Sequence, residues 1–149
     1  MKKALISVVV LFSLILSSCG GVVGTIETPG DAVQVGSDST KVYYEITPAK
    51  CADYLAKDCL VVAVDSVPSM ILPNTDLFIS YPTVKDNMSQ FPSDKNSPIL
   101  VYCTSGDYSH IAAEALVENG YTYVMELKGG SFYYSRQGYA LAPANSNKS

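Results

Sequence analysis

Two uninterrupted apolar runs stand out in the chain, Leu60-Val61-Val62-Ala63-Val64 and Ile99-Leu100-Val101-Tyr102-Cys103, the second preceded by Pro98. Runs of that length with no polar alternation mark strands buried on both faces. Shorter strands are expected at Tyr43-Tyr44-Glu45-Ile46, Leu77-Phe78-Ile79 and Tyr123-Val124-Met125-Glu126-Leu127. Helical stretches lie between them. One covers 48–57, where Thr47 is placed to cap a helix that starts on Pro48, with Ala49, Ala52, Tyr54 and Leu55 inward. A brief one at 83–90 turns Val84 and Met88 inward, and 68–74, broken by prolines, reads as loop. A third, 110–119, carries Ile111, Ala112, Ala115 and Leu116 at helical spacing and stops at Gly120. Gly129-Gly130 then turns the chain into a last helix at 132–137. Strands alternating with helices predict an α/β fold: a central parallel sheet of about five strands with helices on both faces. In such sheets ligands sit beyond the carboxyl ends of the strands.

The ends read differently. Met1-Lys2-Lys3 is followed by an almost unbroken aliphatic run from Ala4 to Leu16, a charged start and an apolar stretch too short for a comfortable membrane span. It ends Ser17-Ser18-Cys19-Gly20, which resembles the lipobox of bacterial lipoproteins. The resemblance implies a signal peptide at 1–18, lipidation of Cys19, and a domain exported and held on a bacterial membrane, facing the periplasm or the cell exterior. An ordinary secretory signal with a coincidental cysteine is the alternative. Residues 19–42, rich in Gly, Ser, Thr and Asp, read as the lipidated cysteine and a flexible spacer, although Ala32-Val33-Gln34-Val35 has the composition to dock as an edge strand. The folded domain is expected at 43–143, with a disordered tail at 144–149.

Charge narrows the partners. The sequence has 10 Lys and Arg against 14 Asp and Glu, a net charge of −4. Removal of the first eighteen residues takes away Lys2 and Lys3 and makes the balance still more acidic. Nucleic acid is therefore excluded as an expected partner. Arg136 is the sole arginine, so no arginine cluster awaits an anion.

With Cys19 assigned to lipid, Cys51, Cys59 and Cys103 remain. A helix through 48–57 carries Cys51 and Cys59 too far apart for a disulfide, whose Cα atoms must lie within about 7 Å. Small buried apolar side chains are the default reading of both. No metal-ligand spacing appears anywhere, and no cofactor is expected.

Cys103 closes a buried strand and is followed by Thr104-Ser105-Gly106-Asp107-Tyr108-Ser109 and then by a helix. Successive backbone N–H groups in such a loop can curl around whatever the sulfur carries, and the helix start adds about half a positive charge. Sulfur chemistry needs this, because the attacking species is the thiolate. The expectation is a sulfur ringed by main-chain hydrogens and open to solvent; a buried structural cysteine is the bland alternative. Asp65, at the end of the other buried strand, either accepts N–H bonds from the loop or caps its strand in solvent. His110 is expected as a solvated or core-edge side chain, Arg136 as a surface one, and the tyrosines crowded near the C-terminus as packing for the sheet edge.

Across nearly all of 43–142 the order of elements resembles the rhodanese family. The matching pieces are Ile46-Thr47-Pro48, Val62-Ala63-Val64-Asp65, Pro98-Ile99-Leu100-Val101-Tyr102-Cys103, Gly106 and Ser109, Ala112-Ala113, and Gly120-Tyr121 followed by Val124, Leu127, Gly129 and Gly130. The resemblance implies a sulfurtransferase: Cys103 takes sulfane sulfur from a small donor such as thiosulfate or a persulfide, holds it as a persulfide within the 104–109 cradle, and passes it to a thiol acceptor. The departures bear on the donor. Active members often carry arginine at the positions of Thr104 and Tyr108, and neither is basic here. Asp107 adds a negative charge beside the cradle, so thiosulfate should bind poorly. A rhodanese-fold binding or sensing module without turnover is the second expectation. A cysteine phosphatase or arsenate reductase would need an arginine closing the loop, and a thiol–disulfide oxidoreductase a second nearby cysteine.

Overall fold

The computed structural model describes residues 29–65 and 69–144. The expected signal peptide, Cys19, the first part of the spacer and the end of the tail lie outside the described residues.

The strands are β1 (Asp31–Gln34), β2 (Val42–Ile46), β3 (Leu60–Ala63), β4 (Met70–Ile71), β5 (Leu77–Phe78), β6 (Ile99–Tyr102), β7 (Val124–Leu127) and β8 (Ala142–Pro143). Helices α1 (Pro48–Leu55), α2 (Ser109–Glu118) and α3 (Gly130–Arg136) and a 3₁₀ segment, Tyr81–Gln90, join them. Six strands form one sheet in the order β1-β2-β7-β6-β3-β5. The five from β2 to β5 pair in parallel, and β1 joins β2 antiparallel. The α/β fold with a mainly parallel sheet is thus the observed one.

Strand alternation divides the core. Val62, Val64, Ile99, Val101, Cys103 and Val124 face one side with Ala112, Ala113, Leu116 and Val84, under α2 and the 3₁₀ segment. Ile46, Val61, Ala63, Leu100, Tyr102, Met125 and Leu127 face the other with Cys51, Leu55 and Tyr134, under α1 and α3. The Thr47 hydroxyl accepts from Lys50 N at 3.4 Å and caps α1, which begins on Pro48. The α2 helix stops at Gly120, whose φ of +89° is the left-handed value that glycine adopts without penalty.

Two expectations are corrected. The spacer reading of 19–42 gives way from Asp31 onward to its stated alternative, an edge strand: β1 lies on the sheet edge with Val35 buried and Val33 packed against the core. Burial of those valines holds the segment despite its polar composition. The loop reading of 68–74 fails at Met70–Ile71, which pairs antiparallel with Ala142–Pro143. The Ala144 amide also donates to Ser69 O, so the first residue of the expected tail is tied down.

Candidate active site

β6 lies between β7 and β3, and Cys103 follows it directly at the carboxyl edge of the sheet. Three groups hold the loop that follows. The Asp65 carboxylate accepts from both the backbone N–H and the hydroxyl of Thr104, which ties the end of β3 to the loop's first residue. From the other side the Ser131 and Phe132 amides, at the start of α3, donate to the Cys103 and Thr104 carbonyls at 2.9 Å each. Gly106, at φ +90°, lies against Gly129 so closely that a Cβ on Gly106 would come within 2.9 Å of its backbone. Glycines in both turns are what allow the two chain segments to approach.

Within this frame the Gly106 and Tyr108 amides donate to Cys103 Sγ at 3.0 and 3.5 Å. The thiol itself points at Ser109 Oγ, 3.7 Å away, and the Ser109 hydroxyl donates to Glu126 Oε1 at 2.6 Å. Ser109 and Cys103 have no solvent exposure and Glu126 only 5%. Burial, against the Ser109 hydrogen bond, raises the Glu126 pKa above the ordinary carboxylate value.

The expected cradle is therefore narrower than 104–109. Only Gly106 and Tyr108 turn their amides to the sulfur; Thr104 is engaged by Asp65, and the Asp107 amide donates to Ser105 Oγ. Ser109 contributes its hydroxyl. The expectation of a sulfur open to solvent is corrected, since Cys103 is wholly buried. The loop folds back over the thiol to bring its amides within reach, and that closure excludes water. The covering loop is itself exposed at Thr104, Ser105, Asp107 and Tyr108.

Where an arginine would stand, Tyr108 stacks on Tyr81 with ring centroids 4.7 Å apart and planes 8° from parallel. A cation able to grip an anion is replaced by an aromatic pair. Thr104 lines a shallow cavity of about 140 Å³ with Met70, Ser131, Phe132 and Leu141. A larger cavity, about 610 Å³, opens at the opposite end of the sheet beside Cys59, Leu60 and Pro98, and is remote from Cys103.

Among the described residues the other two thiols, Cys51 and Cys59, are free of disulfides. Burial pushes the pKa of each, Cys51 and Cys59, up to about 12, so both stay protonated and inert near neutrality. Arg136 is exposed at the end of α3 and His110 is half-buried on the first turn of α2. Among the described residues no group of three His, Cys, Asp or Glu side chains is placed to hold a metal ion.

A family model, the rhodanese-like domain, matches residues 68–137, which contain the loop, α2 and the glycine turn before α3. The chain carries a rhodanese-like domain. Solved structures agree on the fold. A rhodanese-related protein from Thermoplasma volcanium is 20% identical with a TM-score of 0.57, over 66% of this chain and 96% of that one. A rhodanese-like domain from Anabaena sp. is 17% identical with a TM-score of 0.59, over 70% of this chain and 83% of that one. Among curated proteins, the tRNA uridine(34) hydroxylase of Chlamydia muridarum is 26% identical over 106 residues, 65% of this chain but 32% of its own length. The rhodanese-like chain thus spans about a third of the curated relatives it matches.

Sequence reasoning missed Glu126 in this rhodanese-like domain. Its signal was present: one charged residue among the apolar Val124, Met125 and Leu127, on a strand expected to belong to a sheet covered on both faces.

Proposed function

We propose that the domain is a rhodanese-type sulfur carrier in which Cys103 accepts sulfane sulfur from a persulfide donor and hands it to a thiol. The observation that carries this reading is the convergence of the Gly106 and Tyr108 amides on Sγ. Donors fixed on a sulfur favour its anionic form, and the anion is the nucleophile. The Cys103 thiolate attacks the outer sulfur of R–S–SH. The new S–S bond forms as the donor's own S–S bond breaks, R–S⁻ leaves and takes up the thiol's proton, and Cys103 becomes a persulfide. No net oxidation occurs. Neither Thr104 nor Tyr108 supplies a cation, so a persulfide, which brings no sulfonate oxyanion to be gripped at the scissile S–S bond, suits the rim better than thiosulfate. The loop has to lift before a donor can enter, because Sγ is covered.

That cover favours a second reading, a rhodanese-fold binding or sensing module that has lost turnover. Incubation with glutathione persulfide, followed by intact mass and mapping of the Cys103 peptide, separates the two. A gain of one sulfur atom on Cys103 supports the carrier, and no gain with any persulfide, polysulfide or thiosulfate leaves the binding module.

Export and lipidation at Cys19 belong to the same proposal and rest on residues 1–20 alone. Incorporation of labelled palmitate, abolished by Cys19→Ala, tests them. The tRNA chemistry named for the Chlamydia relative is not carried over, since an acidic chain has no electrostatic footprint for nucleic acid.

A further inference from the structure

A carboxylate in the middle of a parallel sheet needs a reason. Glu126 pairs with Glu45 of β2 and Val101 of β6, and it shares the α2-facing side of the sheet with Val124. Burying an ionised carboxylate costs several kcal/mol unless partners offset it. An apolar side chain, as at Val101 and Val124, would fill the place at no such cost. The Glu126 carboxylate accepts a hydrogen bond from Ser109, and the group lying against that hydroxyl is the Cys103 thiol.

We propose that Glu126 is the proton acceptor of the Cys103 thiol, reached through the Ser109 hydroxyl. The donors point one way along the chain, S–H to Ser109 Oγ and O–H to Glu126 Oε1. When the thiol ionises, its proton passes to Oγ as the hydroxyl proton passes to Oε1. One S–H bond breaks, one carboxyl O–H forms, the serine is regenerated, and the site's total charge is unchanged. That neutrality matters where water is excluded, because a net new charge would be poorly solvated. The resulting thiolate receives the Gly106 and Tyr108 amides. Glu126 never touches the donor molecule; it is a positioning residue that also takes a proton. The charged and titratable groups facing it are Glu45 and Tyr43 from β2, His110 from α2 and Lys128 just past the end of its own strand. Burial draws its proton affinity toward that of a thiol, which makes the transfer less uphill.

The inference deepens the sulfur-carrier reading, and its test is independent of sulfur uptake. The rate of Cys103 alkylation by iodoacetamide is followed against pH by peptide mass in the native full-length protein. A thiol that ionises through an internal acceptor reacts at a rate nearly flat between about pH 6 and pH 8. In Glu126→Gln, whose amide oxygen still accepts from Ser109, the rate should rise roughly tenfold per pH unit and be at least tenfold slower at about pH 6. Ser109→Ala breaks the chain at its middle and should give the same slope. Should either variant fail to fold, the other reads the slope. Identical profiles in wild type and a folded variant overturn the relay, as does a native Cys103 that iodoacetamide never reaches. Failure of persulfide loading in a protein that passes this test removes the carrier reading and leaves the relay standing.

Discussion

A Cβ on Gly130 would lie 2.3 Å from the carbonyl oxygen of Cys103. The backbone of Cys103 is thus packed against the turn that opens α3, and that carbonyl is already engaged by the Ser131 amide. Gly130 also has a φ of +64°, which an L side chain resists. Gly130→Ala should therefore cost about 3 kcal/mol or more through overlap and backbone strain together. Gly120→Ala is the control: φ is +89° and a Cβ there meets nothing within 4 Å. Strain alone should cost it about 1–2 kcal/mol. Urea denaturation of the two variants measures the difference.

The Asp65 carboxylate anchors Thr104 through two hydrogen bonds. Asp65→Ala should release the first residue of the loop, speed hydrogen exchange at the Thr104 amide by tenfold or more, and cost about 1–3 kcal/mol. The Asp76→Ala variant, remote from the loop, should leave that exchange rate unchanged. Amide exchange followed by NMR distinguishes them.

Much of this arrangement is legible in the sequence, because the signals are local. The apolar run ending at Cys103, the turn-rich stretch after it and the helix beginning at Ser109 place Cys103 at the carboxyl edge of the sheet from the sequence alone. Asp65 stood at the right strand end, yet only the path of the loop decides whether its carboxylate meets an amide. The closure over Sγ was illegible for the same reason: it depends on where α3 donates its first amides, set by residues 131 and 132 pressing on 103 and 104. Strands as short as Met70–Ile71 carry too few residues to show a period. The edge strand Asp31–Gln34 was legible only as an alternative, in the apolar pair Val33 and Val35, because the polar residues around them fit a spacer equally well.

The raised pKa of Glu126 makes stability depend on pH. A carboxyl that holds its proton more tightly in the folded than in the unfolded chain stabilises the fold while protonated in both states. That contribution is lost as pH rises from the ordinary carboxylate value, 4.5, through the higher folded value, because the native state binds more protons across the window. Relative to Glu126→Gln, which has nothing to ionise, the wild type should lose stability as pH rises from about 4.5 toward neutrality and then run parallel. The midpoint of urea unfolding at stepped pH, taken as a difference between the two proteins, reads this directly. A wild type that lost stability relative to Glu126→Gln on acidification would contradict the burial of that carboxyl.

The Tyr81–Tyr108 stack decides what the rim can bind. Aromatic rings offer an anion no charge, whereas a guanidinium grips an oxyanion through two parallel N–H bonds. Tyr108 is 46% exposed, so an arginine there would reach solvent without burying its charge. It would also face Asp107 next to it and add a cation beside Sγ. Tyr108→Arg should therefore raise thiosulfate-dependent sulfur loading of Cys103 about tenfold or more over the wild type, an effect of about 1.4 kcal/mol. Losing the stack should lower stability by about 0.5–1.5 kcal/mol. Loading from glutathione persulfide should change far less, since that donor needs no cation of this kind. Mass of the Cys103 peptide after exposure to each donor gives both numbers. Equal gains with the two donors would mean that the arginine acts by loosening the loop over the thiol, and the account of donor choice by rim charge would then be wrong.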